Sequence, residues 1–188
     1  MNSPYTNIQL LKSFNLPIGF RGRSAAIVQC WWLVQSTLFS CSPQFMFGWR
    51  RWLLRLFGAK IGKDVLLRPS VKVTYPWRLS IGDFAWIGDD VVLYSLGEIE
   101  IGANTVVSQR SYLCAAGHDY SKVDFPIFSK KISIGEQAWL ATDVFVAPGV
   151  SIGNGTVVGA RSSVFSDMPK QMICYGSPCK PIKYRVTD

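Results

Sequence analysis

From residue 61 onward aliphatic side chains return in trios spaced six residues apart, and few architectures tolerate that period. Five trios carry it: Ile61, Leu67, Val73; Ile81, Ile87, Leu93; Ile101, Val107, Leu113; Ile134, Leu140, Val146; and Ile152, Val158, Val164. Each trio opens with Ile-Gly, and a small or β-branched residue usually stands four places after each aliphatic, as at Val65, Ala85, Thr105, Ala138 and Thr156. An amphipathic helix repeats near 3.6 residues and a half-buried strand at two, so a period of six fits neither. It fits short strands joined by tight turns, one aliphatic per strand pointing into a narrow core. Glycine after the aliphatic would supply turn backbone that other residues reach at a cost. Three strands make a coil, and stacked coils bury a column that no coil buries alone. The pattern predicts an all-β chain: a parallel β-helix of about five coils, starting at residues 61, 81, 101, 134 and 152.

The third coil breaks the rhythm. At eighteen residues it would end at His118, yet the fourth begins only at Ile134. Residues 119–133 therefore read as an inserted loop, and the single histidine of the chain stands at the break. Loops displaced from a rigid scaffold commonly carry function.

Charge separates the N-terminal segment from this repeat. Residues 1–60 hold Lys12, Arg21, Arg23, Arg50, Arg51, Arg55 and Lys60 with no acid, while the remaining thirteen cations face twelve acids. The expected organisation is an apolar and basic helical segment over 1–60, the β-helix over 61–169 with its loop at 119–133, and a basic tail over 170–188. Residues 25–41 are apolar but interrupted by Gln29 and Gln35, and are at the short limit for a bilayer span. Drawn as a helix, residues 46–57 place Met46, Trp49, Trp52, Leu53, Leu56 and Phe57 on one face and Arg50, Arg51 and Arg55 on the other. Two readings stay open. The segment caps one end of the stack, or residues 24–57 make a peripheral contact with an anionic membrane surface. Five cysteines with no CxxC and no cleavable leader favour a reducing, cytoplasmic setting, at most at the inner face of the membrane.

The [LIV]-G-x-x-x-x repeat over 61–168, with "VVSQRSYLCAAGHDYSKVDFPI" and "AWLATDVFVAPGVSIGNGTVVGARSSVFSDMPKQMICYGSPCKPIK", resembles the hexapeptide-repeat acyltransferases. Within them it is similar to the galactoside and maltose O-acetyltransferases and, including the Trp- and Arg-rich N-terminal segment, to the colanic-acid-biosynthesis acetyltransferases. The resemblance implies a left-handed β-helix, a homotrimer, acetyl-CoA as acyl donor and a sugar or glycan as acceptor in exopolysaccharide biosynthesis. It makes His118 the general base that takes the acceptor hydroxyl's proton. It places Trp139, Ala141, Thr142 and Ala160 along the pantetheine arm, and Lys180, Lys183 and Arg185 near the adenosine phosphates. Arg110, Asp119 and Tyr120 flank His118 and are candidates to bind the acceptor or orient the base, and Tyr94 joins them as an acceptor contact. The chain departs from the sugar enzymes in two places. Phe165 and Ser166 replace a Thr-Lys pair, with Arg161 or Lys170 as substitutes, and Tyr94 and Ser95 stand where an acceptor-binding acid is found.

Other functions for such a repeat fit less well. A β-helix carbonic anhydrase needs three histidines, and one histidine without a Cys/His cluster leaves no metal site. Regular threonine arrays for ice binding are missing, and no nucleic-acid-binding module accompanies the basic residues. A xenobiotic acetyltransferase of the same fold, or a non-catalytic scaffold, remains the alternative. The loop and its histidine argue against the scaffold, and the Trp/Arg segment argues against a freely soluble acceptor.

Overall fold

The computed structural model describes residues 8–186 as a parallel β-solenoid with two short helices at its N-terminal end. Each coil contributes one short strand to each of three faces, as Leu79–Ile81, Trp86–Ile87 and Val92–Tyr94 do in the second coil. The register is in phase. Ile81 pairs with Ile101, Ile101 with Ile134 and Ile134 with Ile152 on the first face. All fifteen repeat aliphatics are buried, and Thr105, Ser111, Thr156 and Ser162 are buried with them. Thr105 and Ser111 donate their hydroxyls to carbonyls of the next coil, Gly135 at 2.7 Å and Ala141 at 3.0 Å, so these corners stay satisfied inside the core.

The glycine of each Ile-Gly pair serves a different purpose from the one its turn position implies. The left-handed backbone falls two residues later, at Asp64, Phe84, Asn104 and Gln137. Gly82 and Gly102 are needed because the next coil passes too close, with a Cβ at either lying 2.5 Å from the backbone nitrogen of Ala103 or Glu136. Close approach of stacked backbone selects the residue.

The stack has about six turns, one more than the spacing counts. Met168 bridges to Ile152 and Met172–Gly176 pairs in parallel with Val157–Val158, so a sixth coil begins before Cys179–Tyr184 folds back antiparallel to close the second face. The four-residue step from Val164 to Met168 breaks the period of six and hides this coil in the sequence. The segment expected as a tail is therefore largely a β-hairpin.

At the other end, α1 (Ala25–Val34), a π-turn (Gln35–Phe39) and α2 (Phe47–Leu56) lie across the first coil. Every later coil offers carbonyls to amides of the coil before it. Ile81, Ala85, Ile87 and Leu93 accept from Gly62, Leu66, Arg68 and Thr74. The first coil has no predecessor, and side chains of the helical segment supply the missing donors. Arg55 bonds the Ile61 carbonyl, Arg51 that of Val65, Arg50 that of Leu67, and the Trp31 indole that of Val73. Gln35 also accepts the Val73 amide at 2.6 Å. An exposed sheet edge is a template for unwanted pairing, and this one is closed donor by donor. The capping alternative thus describes where the segment sits. The three arginines expected to face an anionic surface are turned onto the solenoid, and Arg50 is completely buried. Trp32, Leu33, Leu38, Trp52 and Leu56 remain exposed on the outer side.

Candidate active site

The inserted segment is not an irregular loop. Ala116–His118 and Ile127–Ser129 pair antiparallel, so a hairpin projects from the edge between the third and first faces, with residues 119–126 at its tip. His118 lies on the outgoing strand, opposite Ile127, and the chain is back in the stack by Ile132. Gly117 leaves room for the Phe128 ring, whose tip would lie 2.9 Å from a Cβ there. His118, Asp119, Tyr120, Pro126, Phe128 and Lys130 line a cleft of about 600 Å³.

The imidazole is oriented by the hairpin itself. Nδ1 lies 2.8 Å from the Phe125 carbonyl oxygen, and the Phe125 ring stacks on the imidazole with centroids 4.4 Å apart and planes 5° from parallel. A carbonyl only accepts, so Nδ1 carries the hydrogen and Nε2 of the neutral ring keeps the lone pair a base requires. Phe125 holds a left-handed backbone, φ +48°, which is uncommon for a bulky side chain and aims its carbonyl back at the ring. Nothing in the sequence marks this partner. It is a main-chain group seven residues away, and the Phe125-Pro126 dipeptide shows only that a turn lies there.

The acceptor candidates separate. Asp119 and Tyr120 share the cleft with His118. The Asp119 carboxylate accepts the Ser121 hydroxyl at 2.5 Å and amide at 3.0 Å, bonds that hold it below the usual carboxylate range and turn it onto its own loop. Tyr94 lies at the root of the hairpin, packed with Ala116 and Ile127, and its ring begins an aromatic ladder through Tyr112, Phe145 and Phe165 on the third face. Burial pushes the Tyr94 and Tyr112 hydroxyls and the Cys114 thiol up, so all three stay protonated at neutral pH. Arg110 is not with them. It sits at the corner between the second and third faces in a bidentate ion pair with Asp143, at 2.8 and 2.9 Å.

The residues expected along the donor form a strip of their own. Trp139 is half-exposed on the second face, its indole N–H on the Ser108 hydroxyl at 3.0 Å. Ala141, Thr142 and Ala160 lie at the corner of the second and third faces in successive coils. The hairpin of the sixth coil places Lys180 and Lys183 on the edge strand of the same sheet, exposed and, among the described residues, without a carboxylate partner. Small residues at the corner and free cations at the end suit an extended thiol ester that terminates in phosphates. Arg185 differs, since its guanidinium bonds the Gln137 and Gly155 carbonyls at the far corner of the sheet. Arg161, one substitute for the missing lysine, lies beside Asp143 at this corner, 3.9 Å from its carboxylate. Within one chain, the strip and His118 flank opposite edges of the third face.

The fold is shared with solved acetyltransferases. A galactoside acetyltransferase in complex with coenzyme A superposes with a TM-score of 0.81 at 23% identity, covering 92% of this chain and 85% of that one. A hexapeptide-repeat acetyltransferase of Vibrio cholerae O1 biovar eltor, complexed with acetyl-coenzyme A, gives 0.79 at 22% identity over 88% of this chain and 92% of that one. These define the class as the hexapeptide-repeat solenoid. No family model matches the chain. In sequence, the "Putative colanic acid biosynthesis acetyltransferase WcaF" of Escherichia coli (strain K12) is 60% identical over 179 residues, which is 95% of this chain and 98% of that protein. A galactoside O-acetyltransferase of the same strain is 27% identical over 137 residues, 71% of this chain and 68% of its own. The chain belongs to the hexapeptide-repeat acetyltransferases, in the branch of the colanic-acid-biosynthesis enzymes.

Proposed function

We propose that this protein moves an acetyl group from acetyl-CoA to a sugar hydroxyl during exopolysaccharide assembly, with His118 as general base. The observation that carries the reading is the Nδ1 contact to the Phe125 carbonyl, which leaves Nε2 as the proton acceptor in a cleft. As the acceptor oxygen bonds to the thioester carbon, Nε2 takes its proton. The tetrahedral intermediate then expels the thiolate, which leaves as the thiol with that proton, and main-chain amides stabilise the oxyanion. Asp119, Tyr120 and Tyr94 are proposed for the acceptor. Trp139, Ala141, Thr142, Ala160, Lys180 and Lys183 are proposed for the donor, with Arg185 holding the sheet end and Arg110 pinning its corner through Asp143.

The separation of the strip from His118 supports a homotrimer in which one copy's strip meets a neighbour's hairpin. The catalytic unit would be residues 61–169 with the hairpin beyond, and residues 1–60 its cap. Among the described residues no helix is long and apolar enough to cross a membrane. A peripheral contact through 24–57, at the inner face, would rest on the exposed Trp32, Leu33, Trp52 and Leu56, since the arginines of α2 are engaged. Incubation with acetyl-CoA and a panel of free, nucleotide-linked and lipid-linked sugars tests the reading. It predicts thiol release that depends on one acceptor and a product heavier by one acetyl group. Absence of acceptor-dependent release across the panel would refute it.

A further inference from the structure

Preceding the helices, the chain does not trail away from the fold but returns along the edge that bears the hairpin. Its course is anchored at both ends. At the near end the Phe20 carbonyl accepts from Arg78 and the Arg21 carbonyl from the Trp77 indole, while the Phe20 ring packs on the cluster of Tyr75, Leu96 and Ala116. Asn15 to Gly19 are exposed between the anchors. At the far end the Leu10 amide donates to the Val123 carbonyl at 2.7 Å, and after the 3-10 turn Leu11–Ser13 the Phe14 ring meets the His118 imidazole with centroids 5.8 Å apart, tilted by 54°. Residues 120–124 of the hairpin tip are exposed, and the Leu10–Val123 bond ties this tip to the strap.

We propose that the strap, residues 8–20, is part of the active site, and that Phe14 is a positioning residue which, with Phe125, clamps the His118 imidazole so that Nε2 is presented to the acceptor. Phe125 alone fixes one ring face and one nitrogen, but it belongs to the same projecting hairpin as the imidazole it must hold still. A stacked pair carried on one projecting hairpin can shift as a unit, and a general base displaced by about 1 Å can lose a hundredfold in rate. Phe14 enters from a segment anchored to the rigid coils at Trp77 and Arg78, and so references the imidazole to the solenoid. The Leu10–Val123 bond does the same for the tip backbone. The catalytic role assumed here for His118 rests on the reading above, whereas the clamp itself does not.

The chain has one histidine, so ¹⁵N-histidine labelling gives a single imidazole whose tautomer is read directly, without substrate. Wild type is expected to show the Nδ1–H tautomer alone. Phe14→Ala is expected to show a mixture of tautomers and a kcat lower by roughly ten- to a hundredfold, with KM for acetyl-CoA unchanged. Phe14→Tyr should restore both, and Phe14→Leu, which keeps most of the volume, guards against loss of fold in the alanine variant. A single tautomer and wild-type kcat in both Phe14→Ala and Phe14→Leu would overturn the proposal and reduce the strap to a tether. His118→Ala run alongside separates the two ideas. Activity surviving there would remove the base, and with it Phe14's catalytic purpose, while the imidazole spectrum still decides whether the clamp exists.

Discussion

The His118 imidazole is held by a main-chain carbonyl at Nδ1, by the Phe125 ring stacked 4.4 Å away and by the Phe14 ring at 5.8 Å. The histidine's place where the repeat gives way to a long insertion singles it out, but the group that sets its tautomer is a main-chain carbonyl, and main-chain partners leave no residue type to read. Phe14 is separated from it by about a hundred residues of unrelated pattern and carried no signal at all. The glycines show the converse, a residue rightly noticed for the wrong reason, since contact between coils and not turn conformation demands them. Cys174 yields a prediction at this scale. It is buried beside Cys179, and burial raises its thiol from an ordinary 9.0 to about 11. A pKa raised by folding means the folded state holds the proton more tightly, so stability is intact below pH 9 and falls as pH climbs toward 11. Urea midpoints across that range should decline for wild type and decline less for Cys174→Ala. Equal slopes would show that another group controls alkaline unfolding.

Among elements, α2 is the informative case. Its two-sided pattern of apolar residues and arginines is plain in the sequence, but pattern alone does not say which side faces inward. The open end of a solenoid presents a row of carbonyls, and cations satisfy them better than leucines do. Arg50 is held by the Leu67, Pro43 and Gln44 carbonyls and the Ser42 hydroxyl, all within 2.9 Å. Arg50→Ala removes one donor group, leaves the buried Leu67 carbonyl unpaired and opens a cavity where the buried side chain packed, a loss of about 2–3 kcal/mol. Trp52→Ala, half-exposed and stacked on Trp49 with centroids 5.1 Å apart, should cost less, about 1 kcal/mol. Denaturant titration of both variants checks the orientation of the helix, and the reverse ranking would contradict it. The sixth coil was hidden by the short step after Val164, because a repeat is legible only while its phase holds.

For the whole molecule, the period of six was enough to specify the solenoid, the number of faces and the column of aliphatics, because nothing else satisfies that period over a hundred residues. The assembled site was less legible, since His118 and the strip of Trp139, Ala141, Thr142 and Ala160 lie at opposite edges of one face. If neighbouring copies complete the site, mixing His118→Ala with Ala160→Trp, whose indole would fill the strip, should regain activity that neither variant has alone. No recovery after subunit exchange would confine the site to one chain. The proposed chemistry depends on His118, and the measurement to make is the initial rate of acceptor-dependent thiol release from acetyl-CoA by wild type and His118→Ala, with acetyl-CoA binding measured on both. The rate is predicted to fall by about 10²–10⁴-fold while binding is retained. A His118→Ala protein that transfers acetyl at the wild-type rate would show that another group takes the acceptor's proton.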